Sequence, residues 1–208
     1  MRLISPTGFI GYRAKVRRAS KENGRRLIHL GSSVIPLGYW ILGRDTVVPV
    51  LGGITAAILL LELARIYTEI GRTLYARILG PVTRPEEERR ITGGSYVFVG
   101  HLAAAVLFPP APAVLAMLFM SIGDPVASFI GQRYGHTALG NKTVEGTLAC
   151  LAVCVLITLP ANLPPLVGLA GAAGATLAEA LPLRLINDNV AMPVASGAIM
   201  TVLVAAGL

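Results

Sequence analysis

SIGDPVASFIGQRYGHTALGNKTVEGTLA, residues 121–149, is the stretch that decides how the rest of the chain is interpreted. It places Asp124 inside an apolar run, spaces small residues regularly behind it, and ends in a Lys-Thr pair just before the next apolar run. A carboxylate is costly in membrane hydrocarbon, and acidic residues at such positions usually face a polar cavity. The stretch therefore predicts a functional site built around Asp124.

The composition is that of a membrane protein. The 208 residues are 54% hydrophobic and 14% charged, whereas about a quarter of the residues of a soluble domain are charged. The mean hydropathy is +0.68, and several apolar runs approach the ~20 residues that span a bilayer as a helix. We predict an all-α polytopic transmembrane helix bundle with about seven spans, roughly 27–42, 47–64, 92–108, 113–130, 143–159, 166–181 and 189–208.

The positive charges predict an orientation. With these spans, 17 of the 18 Lys and Arg residues fall on one side and Arg44 alone on the other. The positive-inside rule then puts the N-terminus and the polar helix ends in the cytoplasm and the C-terminus outside. This asymmetry explains the net charge of +7 better than nucleic-acid binding does. We expect a cytoplasmic amphipathic basic segment at 1–26 and a transmembrane domain at 27–208, in a multi-pass cell-membrane protein with its site on the cytoplasmic face.

The Asp124-Pro125 pair predicts a broken span. A residue before proline disfavours helical geometry, while proline suits the first position of a new helix with Asp124 as N-cap. Ala127, Gly131 and Gly135 are four apart on the face that also carries Asp124 and Ser128, which permits close approach of a helix or a ligand. Because of its depth in the span, we favour Asp124 as a metal ligand or ion-pair partner over a simple cap.

A loop that leads into a helix, Gly140–Gly146, predicts an anion site. Thr143 is the expected N-cap, Glu145 lies in the first turn, and Lys142 adds a positive charge to the free N–H groups of the helix start. Phosphate is the natural ligand, although a snorkelling lysine would give the same sequence. The spacing has one residue too many for a P-loop and follows a membrane span, which excludes that fold.

Further polar residues near the last two spans predict a cation site. Asp188 and Asn189 precede the last span, and Glu179 ends the one before; with Asp124 they offer the oxygen ligands that Mg²⁺ prefers. Simpler interpretations stay open for several polar residues: Glu179 paired with Arg184, Glu62 paired with Arg65, and His29 in the core or at an interface. Cys150 and Cys154 share a helix face and are interpreted as two small core residues.

In the order of its motifs the chain resembles the CTP-dependent lipid kinases, which comprise dolichol kinase, phytol kinase and the fungal-type diacylglycerol kinase. The resemblance covers roughly residues 22–197. It rests on motif residues in the family's order, with Arg26 standing where the family has Lys: Arg25, Arg26, His29, Glu62, Arg65, Thr92, Gly93, Gly123, Asp124, Ala127, Ser128, Gly131, Gly135, Lys142, Thr143, Glu145, Gly146, Glu179, Asp188, Asn189 and Pro193.

The resemblance implies transfer of the γ-phosphoryl group of CTP to a membrane lipid alcohol, a polyprenol or dolichol, phytol or geranylgeraniol, or diacylglycerol. Mg²⁺ or another divalent cation would be held by Asp124 and Asp188, assisted by Glu179 or Asn189. Phosphates would be neutralised by Lys142 and the two arginines, and the 131–146 loop would wrap the nucleotide. The resemblance also implies that further motif residues help bind CTP: His29, Glu62, Arg65, Thr92, Gly93, Ser128, Gly131, Gly135, Thr143 and Gly146.

Alternatives remain at the level of the residues. Glu145, Glu179 and Asp188 are all candidates for the base that accepts the hydroxyl proton. The related CDP-lipid synthases share part of the motif set, so a cytidylyltransferase that releases pyrophosphate is the main competitor. A transporter is disfavoured because no internal repeat is evident and the outer face carries almost no charged residues. The preference for CTP rests on the resemblance alone. The sequence names neither the lipid nor the oligomeric state, and a homodimer stays open.

Overall fold

The computed structural model describes residues 22–80, 83, 87, 89–181 and 186–208. The described chain is all-α apart from a short hairpin. Most of the predicted basic segment 1–26 and the predicted partner Arg184 lie outside the described residues. The helices are α1 (residues 22–31), α2 (Val34–Leu42), α3 (Arg44–Tyr67), α4 (Glu69–Ile78), α5 (Gly93–Leu107), α6 (Pro110–Leu118), α7 (Asp124–Tyr134), α8 (Val144–Thr158), α9 (Pro165–Ala180) and α10 (Asp188–Ala205).

The apolar runs predicted as spans all fall on helices, and the first is divided between α1 and α2 by a turn at residues 32–33. Within the described ranges, three helical stretches are long and apolar enough to cross a membrane: Arg44–Tyr67, Pro110–Tyr134 and Asp188–Ala205. Three further helices, α5, α8 and α9, are apolar but only 15 or 16 residues long. The fold is therefore that of an all-α membrane protein, while the number of spans and the orientation stay predictions.

The predicted break at Asp124-Pro125 is wrong, because the helix continues through it. Asp124 has helical dihedral angles, φ −61° and ψ −48°. The irregularity lies just before it, where Phe119–Gly123 form a π-helical turn that joins α6 to α7. Pro125 cannot donate to the carbonyl four residues earlier and its ring crowds that carbonyl; the wider turn there accommodates both effects, and such turns are frequent at functional sites. Asp124 is thus part of α7 and is not its N-cap.

The predicted polar loop at 131–141 is shorter in the structure. Gly131 lies inside α7, which runs to Tyr134. The rest forms a hairpin in which β1 (Ala138–Leu139) pairs antiparallel with β2 (Lys142–Thr143). Gly140 turns the chain between them with a φ of +60°, which favours glycine. The hairpin fixes Lys142 on a short strand directly before α8.

The core lies around the π-helical turn and the helices that enclose it. Cys150 and Cys154 are free and buried there, which confirms their interpretation as small core residues. Close helix contacts depend on missing side chains: a Cβ on Gly100 of α5 would lie 2.1 Å from the carbonyl oxygen of Asn189 at the start of α10. This packing brings the starts of α5 and α10 together beside α7.

Candidate active site

A polar cavity of about 350 Å³ lies where α1, α5, α7, α8, α9 and α10 meet. Predicted site residues form most of its wall: Arg25, Arg26, His29, Gly93, Asp124, Ser128, Gly131, Lys142, Thr143, Gly146, Glu179, Asp188 and Asn189. The predicted residues that do not line it are Glu62, Arg65, Thr92, Gly135 and Glu145. The structure therefore brings residues from both ends of the chain into one site.

The start of α8 is built as predicted in one respect and differently in another. Thr143 is the N-cap, and its Oγ1 accepts a hydrogen bond from Gly146 N at 3.2 Å. The N–H of Val144, however, donates to the carbonyl of Thr137 at 3.0 Å. These two N–H groups are thus not free to bind an anion, and the positive end of the helix acts through its dipole.

Close packing of α7 against α8 shapes this wall of the cavity. A Cβ on Gly146 would lie 2.7 Å from the carbonyl oxygen of Ala127, and one on Gly131 would lie 2.7 Å from Thr143 Oγ1. Both glycines therefore let the two helices approach, which is one of the two roles that their spacing predicted. The approach positions the hairpin and Lys142 over the mouth of the cavity.

Lys142 reaches into the cavity between two carboxylates. Its Nζ lies 2.6 Å from Glu179 Oε1 and 3.4 Å from Asp188 Oδ2. Burial by itself disfavours the ammonium, but the nearby carboxylates of Asp124, Glu179 and Asp188 outweigh it and raise the pKa of Lys142 above its usual value. A lysine that snorkels towards water would not be enclosed in this way, so the geometry favours a charged group that acts inside the site.

Two buried polar atoms on the cavity wall lack partners among the described residues. Glu179 Oε2 is one, although the side chain is only 2% exposed and its other oxygen holds Lys142. Thr147 Oγ1 on α8 is the other. Buried polar groups nearly always have hydrogen-bond partners. Two such atoms in one cavity indicate that a polar ligand completes the site.

The acidic wall suits a hard cation that a substrate helps to bind. Asp124, Glu179 and Asp188 offer carboxylate oxygens, and Mg²⁺ in proteins commonly uses one or two carboxylates together with substrate phosphates. No group of three or more His, Cys, Asp or Glu side chains within the described ranges is close enough to hold a metal by itself. The unpartnered Glu179 Oε2 fits a metal shared with a phosphate ligand. Asn189 Nδ2 donates to the carbonyl of Gly93 at 2.8 Å; this bond fixes the side chain and does not use Oδ1, the amide atom that a cation would bind.

Both predicted arginines line the cavity and are held in place. Arg25 Nη1 lies 2.7 Å from Glu87 Oε1, which also accepts from the backbone N–H of Gly93 at 2.8 Å. Arg26 donates to the hydroxyl and the carbonyl oxygen of Ser128 at 3.1–3.2 Å. The two guanidinium groups therefore lie in the cavity wall in fixed positions.

His29 is the partner of Asp124. Its Nδ1 lies 3.2 Å from Asp124 Oδ2, and the residue is 3% exposed. Of the roles predicted for Asp124, the pairing interaction is therefore observed, and the prediction of a metal ligand remains. His29 is buried, as its core interpretation requires, but its ring is turned towards the cavity wall.

The Glu62–Arg65 pair forms as predicted and lies behind the cavity. Arg65 Nη2 is 2.6 Å from Glu62 Oε2, and both residues are buried. Glu62 Oε1 accepts from the hydroxyl of Thr92 at 2.6 Å, at the N-cap of α5. Arg65 Nη1 donates to the carbonyl of Glu87 at 3.1 Å. The network therefore supports Glu87 and the start of α5, which in turn hold Arg25 in the cavity.

Glu145 and Gly135 have structural positions away from the cavity. The carboxylate of Glu145 accepts from the N–H of Thr137 at 3.0 Å and so ties the hairpin to α8. A Cβ on Gly135 would lie 2.3 Å from the carbonyl oxygen of Gly131, so this glycine serves the end of α7. Glu179 and Asp188 are the candidate bases that line the cavity.

Three contributions were missed by reasoning from the sequence. Glu87 stands in an acidic run without periodicity, so nothing marked it as the partner of Arg25. Thr147 is one turn beyond the Lys-Thr motif, and its spacing from Thr143 on the same helix face was the available signal. His101 stood out as a mid-span histidine, and its Nε2 lies 3.0 Å from Ser121 Oγ beside the π-helical turn.

Comparison with known proteins adds relatives at low identity. The chain is 29% identical over 147 residues to a protein of Schizosaccharomyces pombe named CTP-dependent diacylglycerol kinase 1, which covers 61% of this chain and 67% of that protein. It is 26% identical over 141 residues to the protein of the same name from Eremothecium gossypii, which covers 65% and 44%. A Glycine max protein named "Probable phytol kinase 1, chloroplastic" is 24% identical over 200 residues, which covers 84% and 65%.

No family model matches the chain, and no solved structure matches it. The chain spans less than half the length of the Eremothecium gossypii protein. The names of the relatives nevertheless agree with the family that the ordered motifs indicated. By its motifs and its relatives, the chain is a homologue of the CTP-dependent lipid kinases.

Proposed function

We propose that the protein transfers the γ-phosphoryl group of CTP to the hydroxyl of a membrane lipid alcohol. The observation that carries the proposal is the polar cavity, in which the partly buried ammonium of Lys142 lies near three carboxylates and two buried polar atoms lack partners among the described residues. A site of mixed charge suits a metal-bound triphosphate, because phosphates need cations and the metal needs carboxylates.

The cationic groups would bind the phosphates. Phosphoryl transfer depends mainly on positioning and on neutralising charge, since its transition state is loose and carries charge on the transferred oxygens. Lys142 and the two arginines at the start of α1 all line the cavity. The hydroxyl of Thr147 adds a donor for a phosphate or ribose oxygen.

The acidic groups would hold the cation and accept the proton. Asp124, Asp188 and Glu179 would hold Mg²⁺, which would supply positive charge to neutralise the phosphates. In the reaction the lipid hydroxyl oxygen forms the new bond to the γ-phosphorus, CDP leaves, and the hydroxyl proton passes to a carboxylate. We assign that proton to Glu179 or Asp188, because both line the cavity and Glu145 does not.

Purified protein with γ-labelled CTP, Mg²⁺ and a panel of phytol, geranylgeraniol, dolichol, diacylglycerol and, as the acceptor that a cytidylyltransferase needs, phosphatidic acid tests the proposal. We expect label in at least one lipid monophosphate, and loss of that label with Asp124→Asn. A matched control is Glu69→Gln, which removes the carboxylate of an exposed pair with Arg72 on α4. Label that appears in pyrophosphate and never in lipid would overturn the kinase proposal in favour of a cytidylyltransferase.

A further inference from the structure

An apolar groove of about 410 Å³ lies beside the polar cavity, between α1, α2 and α3. Its walls include Ile28, Val34, Gly38, Val50 and Phe98. Among the described residues that line it, only Ser32 and Thr46 carry polar side chains. Val34 and Val50 are 68% and 59% exposed, so the groove opens on the outer surface of the helices, where the bilayer would lie.

A smaller cavity of about 220 Å³ lies between the groove and the polar cavity and shares wall residues with both. It shares Ile28 and Phe98 with the groove and shares Arg25 and Glu87 with the polar cavity. The three cavities therefore form a series, with apolar walls at one end and charged walls at the other. The ion pair of Arg25 and Glu87 lies in the wall that the smaller cavity and the polar cavity have in common.

The first helix separates the two environments. Arg25, Arg26 and His29 line the polar cavity, whereas Ile28 and Gly31 line the groove. A path that follows α1 thus leads from apolar contacts to guanidinium groups within about one helical turn. This is the sequence of environments that an amphiphile with one polar end requires.

We propose that the groove holds the hydrocarbon chain of the lipid alcohol and that its hydroxyl enters the polar cavity past Arg25 and Glu87. The inference rests on the proposed function and adds the location of the lipid. A helix of a partner protein is a poor occupant, because a helix with side chains is ~10 Å across, whereas the volume is that of a small-molecule pocket. A nucleotide base would find few polar partners there.

The groove would select the hydrocarbon tail of the lipid by its shape. A tail that moves from the bilayer into the groove leaves one apolar medium for another, so it gains little from the hydrophobic effect. Binding therefore depends on the space that the groove offers to the tail, and a side chain that fills the groove should exclude the lipid. Gly38 of α2 lines it, and a Cβ there would meet nothing within 4 Å, so a large side chain can be added without a backbone clash.

The test uses a lipid alcohol with a photoreactive diazirine in its tail. We expect ultraviolet cross-links in residues 28–54, competed by unlabelled alcohol but not by phosphatidylcholine, and lost in Gly38→Phe. Gly53→Phe is the matched control, because Gly53 is also a helical glycine with open space beside it but does not line the groove. Val50→Trp, on α3, is a second substitution that fills the groove, in case Gly38→Phe does not fold.

Turnover separates this inference from the proposed function. With Gly38→Phe we expect kcat/KM for a long-chain alcohol to fall at least tenfold while CTP binding is unchanged. Suppose that the wild type phosphorylates the alcohol, that the cross-links lie elsewhere and that Gly38→Phe and Val50→Trp are both fully active. The groove is then not the lipid site, and the kinase proposal stands. If competed cross-links lie in the groove but no alcohol is phosphorylated, the lipid site stands and the kinase proposal fails. Equal competition by phosphatidylcholine would reduce the groove to a contact with bulk lipid and overturn the inference.

Discussion

Replacing Lys142 by Met should affect stability and activity through two separable causes. The substitution keeps the length of the side chain and removes the ammonium that lies 2.6 Å from Glu179 Oε1. Glu179 would then be a buried carboxylate with neither oxygen paired among the described residues. Loss of one partner of a buried pair costs ~3–5 kcal/mol. We expect the lower end, about 3 kcal/mol, because the Lys142 side chain is 26% exposed.

The loss of activity should be larger than the loss of stability, and a second substitution that restores the stability should not restore the activity. Removal of one group that neutralises transition-state charge typically costs a factor of ~10²–10³ in kcat. The double variant Lys142→Met/Glu179→Gln removes the unpaired charge, so it should recover most of the lost thermal stability in detergent. It should stay inactive in the γ-labelled CTP assay, because the phosphate-binding ammonium is still absent.

Arg72→Gln is the control for loss of a cation, since Arg72 lies in an exposed pair on α4 and such pairs contribute little. Both its melting temperature and its activity should stay close to the wild type. A double variant that regains activity together with stability would refute the reasoning, since Lys142 would then be a structural residue only. So would Lys142→Met with activity within twofold of the wild type.

Three further substitutions test other parts of the site. Asp124→Asn should lower kcat by ~10²-fold with little change in KM for the lipid; unchanged steady-state kinetics would remove Asp124 from the site. Thr147→Val should raise the Kd for CTP ~2–10-fold, the value of one hydrogen bond, without loss of thermal stability; calorimetric titration that gives the wild-type Kd would exclude a contact with its hydroxyl. Glu62→Gln should destabilise the protein by ~3–5 kcal/mol, because Arg65 loses its buried partner; an unchanged melting temperature would contradict the supporting role of this network.

Much of the fold was predictable because apolar length and breaker residues govern membrane helices. Thr143 was identified as an N-cap from its position before an apolar run, and its hydroxyl does accept from Gly146 N. The helix break at Asp124-Pro125 was predicted incorrectly because the local preference of a residue before proline was overridden. A single π-helical turn in Phe119–Gly123 absorbed the effect of the proline and kept the helix intact.

The contacts of the site were less predictable, because they join residues that are distant in sequence. Lys142 was correctly placed in a polar site, but its enclosure by Glu179 and Asp188 depends on how α9 and α10 pack against the hairpin. The same holds for His29 with Asp124. Glu145 was expected in the site from its position in the motif. Its carboxylate instead accepts a hydrogen bond from the backbone N–H of Thr137, a contact that the motif did not reveal.

The central claim is that the site moves the terminal phosphoryl group of CTP to a lipid. Incubation of the protein with CTP that carries different phosphorus isotopes at the α and γ positions, in vesicles that contain both the lipid alcohol and phosphatidic acid, tests it directly. The account predicts that only the γ isotope enters the lipid and that the α isotope is recovered in CDP. Incorporation of the α isotope into lipid, with the γ isotope in pyrophosphate, would contradict it.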